Sequence, residues 1–181
     1  MNTFKLRRHL GKLFNQGASH AEVYQAGIAQ GEDEKTVSKL TSMLPDRDAA
    51  KQYSAVRIGL VVLLLLSGLL LIGIGTLMLI AGEMAIMGAA FIVGGALNIV
   101  FARMAAINLY AGYTVILVLT ILGIRHHVRS IMEGDVFGFV GIALSTTIIL
   151  LCIIMLRKVF LHTSFFGKRL IPQGAEKGFW E

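Results

Sequence analysis

The sequence predicts an all-α polytopic membrane protein, a four-transmembrane-helix bundle with a short N-terminal cytoplasmic helical region. Three observations predict it. Ile58–Ala81 holds 24 residues without a charge, and a hydrocarbon core of roughly 30 Å takes about 20 apolar residues as helix. Three more apolar runs follow, at about 84–102, 105–124 and 136–156. Hydrophobic residues make up 55% of the 181-residue chain and charged ones only 15%, a balance suited to a chain that meets lipid along much of its length.

Residues 1–57 read as a head of short amphipathic helices. In Lys5–Phe14 the residues Leu6, Leu10, Leu13 and Phe14 form one stripe, with Lys5, Arg7, Arg8 and Lys12 around it. Such a helix either packs its stripe on its neighbours or lies on an anionic membrane surface. Gly17 ends it. Ser19 and Glu22 have capping-box spacing for a second helix, which Gly31 stops. Glu32, Asp33 and Glu34 suit the N-terminal dipole end of a third helix, which Pro45 stops. Asp46 or Asp48 caps a fourth, expected to run through Tyr53 and Arg57 into the first span. Two short helices around a glycine turn invite a helix-turn-helix interpretation. The third helix, however, has an acidic first turn and no Arg, Asn or Gln to reach base edges, so no nucleic-acid partner is expected.

Among the spans, Gly68, Gly75 and Gly82 recur every seven residues, and Ala90, Gly94, Asn98 and Ala102 every four. Small residues let helix backbones approach closely, which is how helices associate in lipid. Gly134 and Gly138 make a GxxxG at the start of the last span. The expected helix-packing positions are therefore Gly68, Gly75, Gly82, Gly94, Asn98, Gly134 and Gly138. The turn between the second and third spans is expected near Phe101–Ala106, and Arg125–Asp135 as the one sizeable connector. Asn98, Arg103, Asn108, Tyr110 and Tyr113 form the densest polar group in the membrane region. They suit either interhelical hydrogen bonds or a polar site for an ion or small solute, with Asn98, Arg103, Asn108 and Tyr113 as its residues.

The excess of 17 Lys/Arg over 11 Asp/Glu orients the chain. With both termini inside, nine bases in residues 1–57, Arg103 and five in residues 157–181 face the cytoplasm, leaving Arg125 and Arg129 outside. That distribution obeys the positive-inside rule. The short loops suggest a bacterial inner membrane. Residues 157–181, with Phe160, Phe165, Phe166, Phe179 and Trp180 beside bases, read as a cytoplasmic interfacial tail.

Catalytic chemistry finds little footing. There is no GxxxxGK[ST] loop, HExxH or GxSxG elbow, and no carboxylate lies inside a span, as ion-coupled carriers usually require. His126 and His127 with Glu133 and Asp135 invite a metal site, but adjacent histidines point about 100° apart on a helix. The lone Cys152 rules out an intrachain disulfide. The expectation is a non-enzymatic protein without cofactor or metal, acting through helix packing and its head as an accessory, assembly or scaffold subunit. Its expected partners are the lipid bilayer and a membrane protein or further copies of itself. The alternative is a homo-oligomeric channel or transporter component built on the polar group. Reporter fusions at either terminus are expected to read cytoplasmic; a periplasmic C-terminal fusion would overturn the four-span topology.

Overall fold

The computed structural model describes residues 3–82 and 85–160, and no strand occurs among them. Among the described residues eight helices follow one another: α1 (Thr3–Asn15), α2 (His20–Ala29), α3 (Glu34–Ser42), α4 (Arg47–Gln52), α5 (Ser54–Ala81), α6 (Ala85–Ala106), α7 (Tyr110–Met132) and α8 (Phe137–Lys158). The described residues divide into two compact units, one comprising the head together with residues 156–160, the other residues 52–155.

The head has its own core. Leu6, Leu10 and Phe14 recur at intervals of four along α1, so they share one face and are buried against Val23 and Val37, with Leu13, Ala18, Tyr24, Leu40 and Leu44 packed around them. The apolar stripe of α1 is therefore used inside the head. Gly27 lets α2 and α3 cross closely, since a Cβ there would lie 2.5 Å from Val37 Cγ1. The capping box forms as its spacing implies: Ser19 N–H donates to Glu22 Oε2 at 2.7 Å, and Glu22 N–H donates to Ser19 Oγ at 3.3 Å. Those bonds hold the Glu22 carboxyl below its ordinary value. Asp33 caps α3 by accepting from Thr36 N–H at 3.0 Å, and Asp46 accepts from Ala49 N–H at 2.8 Å at the start of α4.

One side chain closes the C-terminal end of α1. The Arg47 guanidinium donates to Gly17 O at 2.8 Å, to Ala18 O at 3.2 Å and to Phe14 O, and lies 4.4 Å from the centre of the Phe14 ring. A helix end leaves four carbonyls without intrahelical partners, and a cation is well placed there by the helix dipole. His20 packs edge-on to the same ring, and its Nε2–H donates to Leu44 O at 3.3 Å. The backbone N–H of Asp46 donates to Val159 O at 2.8 Å, tying the α3–α4 link to the residue that follows α8.

The expected continuous helix from Asp48 into the first span is broken. Tyr53, at φ −94° and ψ 19°, separates α4 from α5. Asp46 and Arg47 fix α4 on the head, and the conformation at Tyr53 lies in the narrow bridge region of backbone space.

The four longer helices are each long and apolar enough to cross a membrane, which makes the chain a multi-pass membrane protein. Their outer surfaces are apolar: Leu66, Leu69, Leu70, Leu77 and Ile80 of α5 are each more than half exposed, a display that suits lipid and not water. Two boundaries differ from the sequence expectation. The second turn lies at Ile107–Leu109, later than Phe101–Ala106, because α6 continues to Ala106. Residues 125–132 belong to α7, which leaves only 133–136 between α7 and α8. Polar residues there were compatible with a loop, but Arg125, His126 and Arg129 lie in the last turns of α7.

Burial lowers the His20 pKa from 6.5, opposed by the Leu44 carbonyl and Asp46 and reinforced by Arg47. A depressed folded-state pKa means that the unfolded head takes up a proton first as pH falls. The head is therefore expected to keep its full stability above about pH 6.5 and to lose part of it below that value. Protection factors of α2 and α3 amides in the full chain, taken relative to the intrinsic exchange rate at each pH, should fall between about pH 7.5 and 5.5, and His20→Gln should flatten that dependence. Identical pH profiles for the parent and the variant would refute the assignment.

Candidate functional site

The tightest contact in the membrane unit is the antiparallel seam of α5 and α6. Gly68 faces Gly95 and Gly75 faces Gly88. A Cβ at Gly68 would lie 2.8 Å from Gly95 O, and one at Gly95 would lie 2.5 Å from Gly68 O. The second pair repeats the pattern, with 2.5 Å from a Cβ at Gly75 to Gly88 O and 2.8 Å from one at Gly88 to Gly75 O. Real Cβ atoms do not approach oxygen so closely, so only glycine permits this separation of the two backbones. Ile72, Ile92 and Ile99 pack beside the pairs.

Of the glycines singled out in the sequence, Gly68 and Gly75 lie in this seam. Gly82 has another role: at φ 74° it caps the C-terminus of α5, with its Cβ direction open. Gly94 stands aside, its nearest neighbour being Leu71 Cδ1 at 4.0 Å, and Ala90 is exposed. The line that α6 presents is Gly88, Gly95 and Ala102, all buried. That line was legible as a second seven-residue recurrence matching the one on α5; the four-residue stripe through Gly94 obscured it.

Near the other turns, Gly134 takes φ 86° in the link after α7, with nothing close to its Cβ direction. Gly138 is buried where a Cβ would lie 2.6 Å from Ile131 Cγ1 and 2.9 Å from His127 O. Gly141, which had not been singled out, receives the His127 ring, with Nδ1 2.2 Å from where a Cβ would stand. Glu133 Oε1 accepts from Arg129 Nε at 2.8 Å, and Ser130 Oγ donates to Asp135 Oδ2 at 2.6 Å. His127, Glu133 and Asp135 thus engage three different neighbours, and His126 is exposed.

The polar group divides in two. Asn98 Nδ2 donates to Ser67 Oγ at 3.2 Å, and Ser67 Oγ donates to Leu64 O at 3.0 Å, which bridges α5 and α6 one turn from the Gly68–Gly95 pair. Tyr113, fully buried, places its hydroxyl 2.9 Å from Ala105 O and 3.2 Å from Asn108 Oδ1. Asn108 adopts a left-handed φ of 51°, a conformation that asparagine tolerates better than most residues. Together with Gly112, where a Cβ would lie 2.7 Å from Met104 Cβ, this pair closes the turn between α6 and α7. Arg103 is exposed on the last turn of α6, and Tyr110 is half-buried at the start of α7. The structure therefore brings Asn108 to Tyr113 and Asn98 to Ser67, and sets Arg103 apart. Chemically, both clusters satisfy donors and acceptors that lipid would leave unmet.

Comparison with protein-family models, with curated proteins and with solved structures returns no match for this chain.

Gly75→Leu is expected to cost roughly 1–3 kcal/mol or more, because the side chain must displace the α6 backbone. Leu70→Ala removes a side chain that is 63% exposed and should cost about 0.5 kcal/mol or less. Thermal unfolding of the two variants in detergent checks this; equal midpoints would refute the seam as the controlling contact.

Proposed function

We propose that this chain is an accessory, assembly or scaffold subunit of a bacterial inner-membrane complex, with head and tail in the cytoplasm. The observation that supports it best is the division of labour between its two units. The head carries a core, caps and turn chemistry of its own, as expected of a module presented to something else. The spans carry small-residue seams and wide apolar surfaces, which are the means by which membrane helices recruit other helices.

The channel alternative draws on Asn98, Arg103, Asn108 and Tyr113. Asn98 and Asn108 already make hydrogen bonds within the chain, so a solute path would have to take them from contacts that hold α5 to α6 and close the α6–α7 turn. This favours the scaffold reading.

Purification in mild detergent followed by sizing and mass spectrometry tests it. A single membrane-protein partner at near-stoichiometric amount is the expected result. A homo-oligomer that passes ions in liposomes would replace this reading with the channel, and a lone inactive monomer would overturn both.

A further inference from the structure

We infer that the exposed face of α1 is a docking surface for anionic phospholipid headgroups, engaged by charge and without insertion. The inference stands apart from the scaffold reading, since it needs only a membrane-anchored chain and the charges of the head.

α1 carries Lys5, Arg7, Arg8 and Lys12 and no acidic residue, and all four cations are exposed. Residues 19–34 reverse the balance, with Glu22, Glu32, Asp33 and Glu34 and no Lys or Arg. The head thus has opposite charge on successive segments, and an anionic plane attracts one while repelling the other. Along α1, Arg7, Arg8, Gly11, Lys12, Asn15 and Gln16 line a shallow groove of about 570 Å³. Its rim offers guanidinium, ammonium and amide donors, the groups that take phosphate oxygens.

Two further observations bear on the contact, the first setting its mode and the second favouring a lipid surface among anionic partners. The apolar stripe of the same helix is spent in the head core: Leu6 is 0% and Leu10 1% exposed. The usual mode of an amphipathic helix, burying that stripe among acyl chains, is therefore closed, and charge is what remains. The tether is also short. Arg47 binds the end of α1, and α5 begins seven residues later at Ser54, a span of about 10 Å as helix and about 24 Å fully extended. So short a link keeps the end of α1 within reach of the bilayer, and a basic face within reach meets headgroups at high local concentration.

The test uses the full chain in lipid nanodiscs, with a donor dye on His9→Cys and an acceptor on lipid headgroups; Cys152 is buried and stays in place. A second donor position, Gln25→Cys on α2, reports orientation. Energy transfer from position 9 should rise on replacing neutral lipid with about 40% phosphatidylglycerol and fall again at high salt, where charge is screened. Transfer from position 25 should rise less. The variant Arg7→Gln/Arg8→Gln/Lys12→Gln should lower the docked-to-undocked ratio by about a hundredfold, at roughly fivefold per cation. Arg7→Lys/Arg8→Lys should keep it, which separates loss of charge from loss of fold, and unchanged α1 hydrogen exchange in the Gln variant confirms that separation. Equal transfer in neutral and anionic bilayers would overturn the inference. So would displacement by inorganic phosphate at fixed ionic strength, which marks a free-phosphate site, or salt-sensitive pairing of heads in neutral lipid, which marks contact between copies.

Discussion

Backbone-to-backbone approach of α5 and α6 is the constraint on which the membrane unit rests. In water, two apolar helices associate because burial removes surface from solvent. In lipid that drive vanishes, since the acyl chains are as apolar as leucine, and association depends on close packing and on polar contacts between helices. Two reciprocal glycine pairs supply the first, and the Asn98–Ser67 bond supplies the second next to one of them. The many leucines of α5 set its depth in the bilayer and leave its partner undetermined. The glycines choose the partner.

The head is built on different physics. Its core of Leu6, Leu10, Phe14, Val23 and Val37 is small, and small cores supply only a few kcal/mol. Polar contacts at the helix ends therefore weigh heavily. Arg47 satisfies the Phe14 carbonyl in the last turn of α1 and two more, of Gly17 and Ala18, just beyond it, while its guanidinium covers the Phe14 ring, and His20 packs edge-on to that ring. One aromatic side chain thus joins the apolar core to the Arg47 contacts. The Thr41 hydroxyl, fully buried, has no hydrogen-bond partner among the described residues; its neighbourhood gives no physical account of it.

Much of this was legible in the residues, and what was not has identifiable causes. The capping box at Ser19, the acidic start of α3 among residues 32–34, the aspartate cap at Asp46 and the stop at Gly31 depend on local chemistry alone, which is why the head helices could be placed closely. The spans follow from hydropathy. The break at Tyr53 was hidden because no proline or glycine marks it; it comes from tertiary constraint on α4. The α6–α7 turn was misplaced because its breaker is Asn108 in a left-handed conformation, held by Tyr113 five residues away, a contact that no local pattern announces. The Arg47 lock joins positions about thirty residues apart and has no sequence signature either. As for the packing glycines, composition shows which residues are small but not which of several small stripes faces the neighbour.

A seven-residue glycine recurrence on both arms of a hairpin is a ruler with repeated marks, and such rulers can be read at more than one offset. Slid by one recurrence, Gly75 would meet Gly95 and Gly68 would meet Ala102, an alignment almost as small-sided as the observed one. What breaks the degeneracy is the bend. Both observed pairs are centred on the same point of the chain, between Ala81 and Gly82, and Gly82 is the residue whose left-handed backbone ends α5 there. The slid alignment would move that centre to Ala85, followed by Ile86, where side chains resist the left-handed conformation. The Cβ direction of Gly82 meets no described atom of α6, yet this residue fixes the phase in which the other glycines are read.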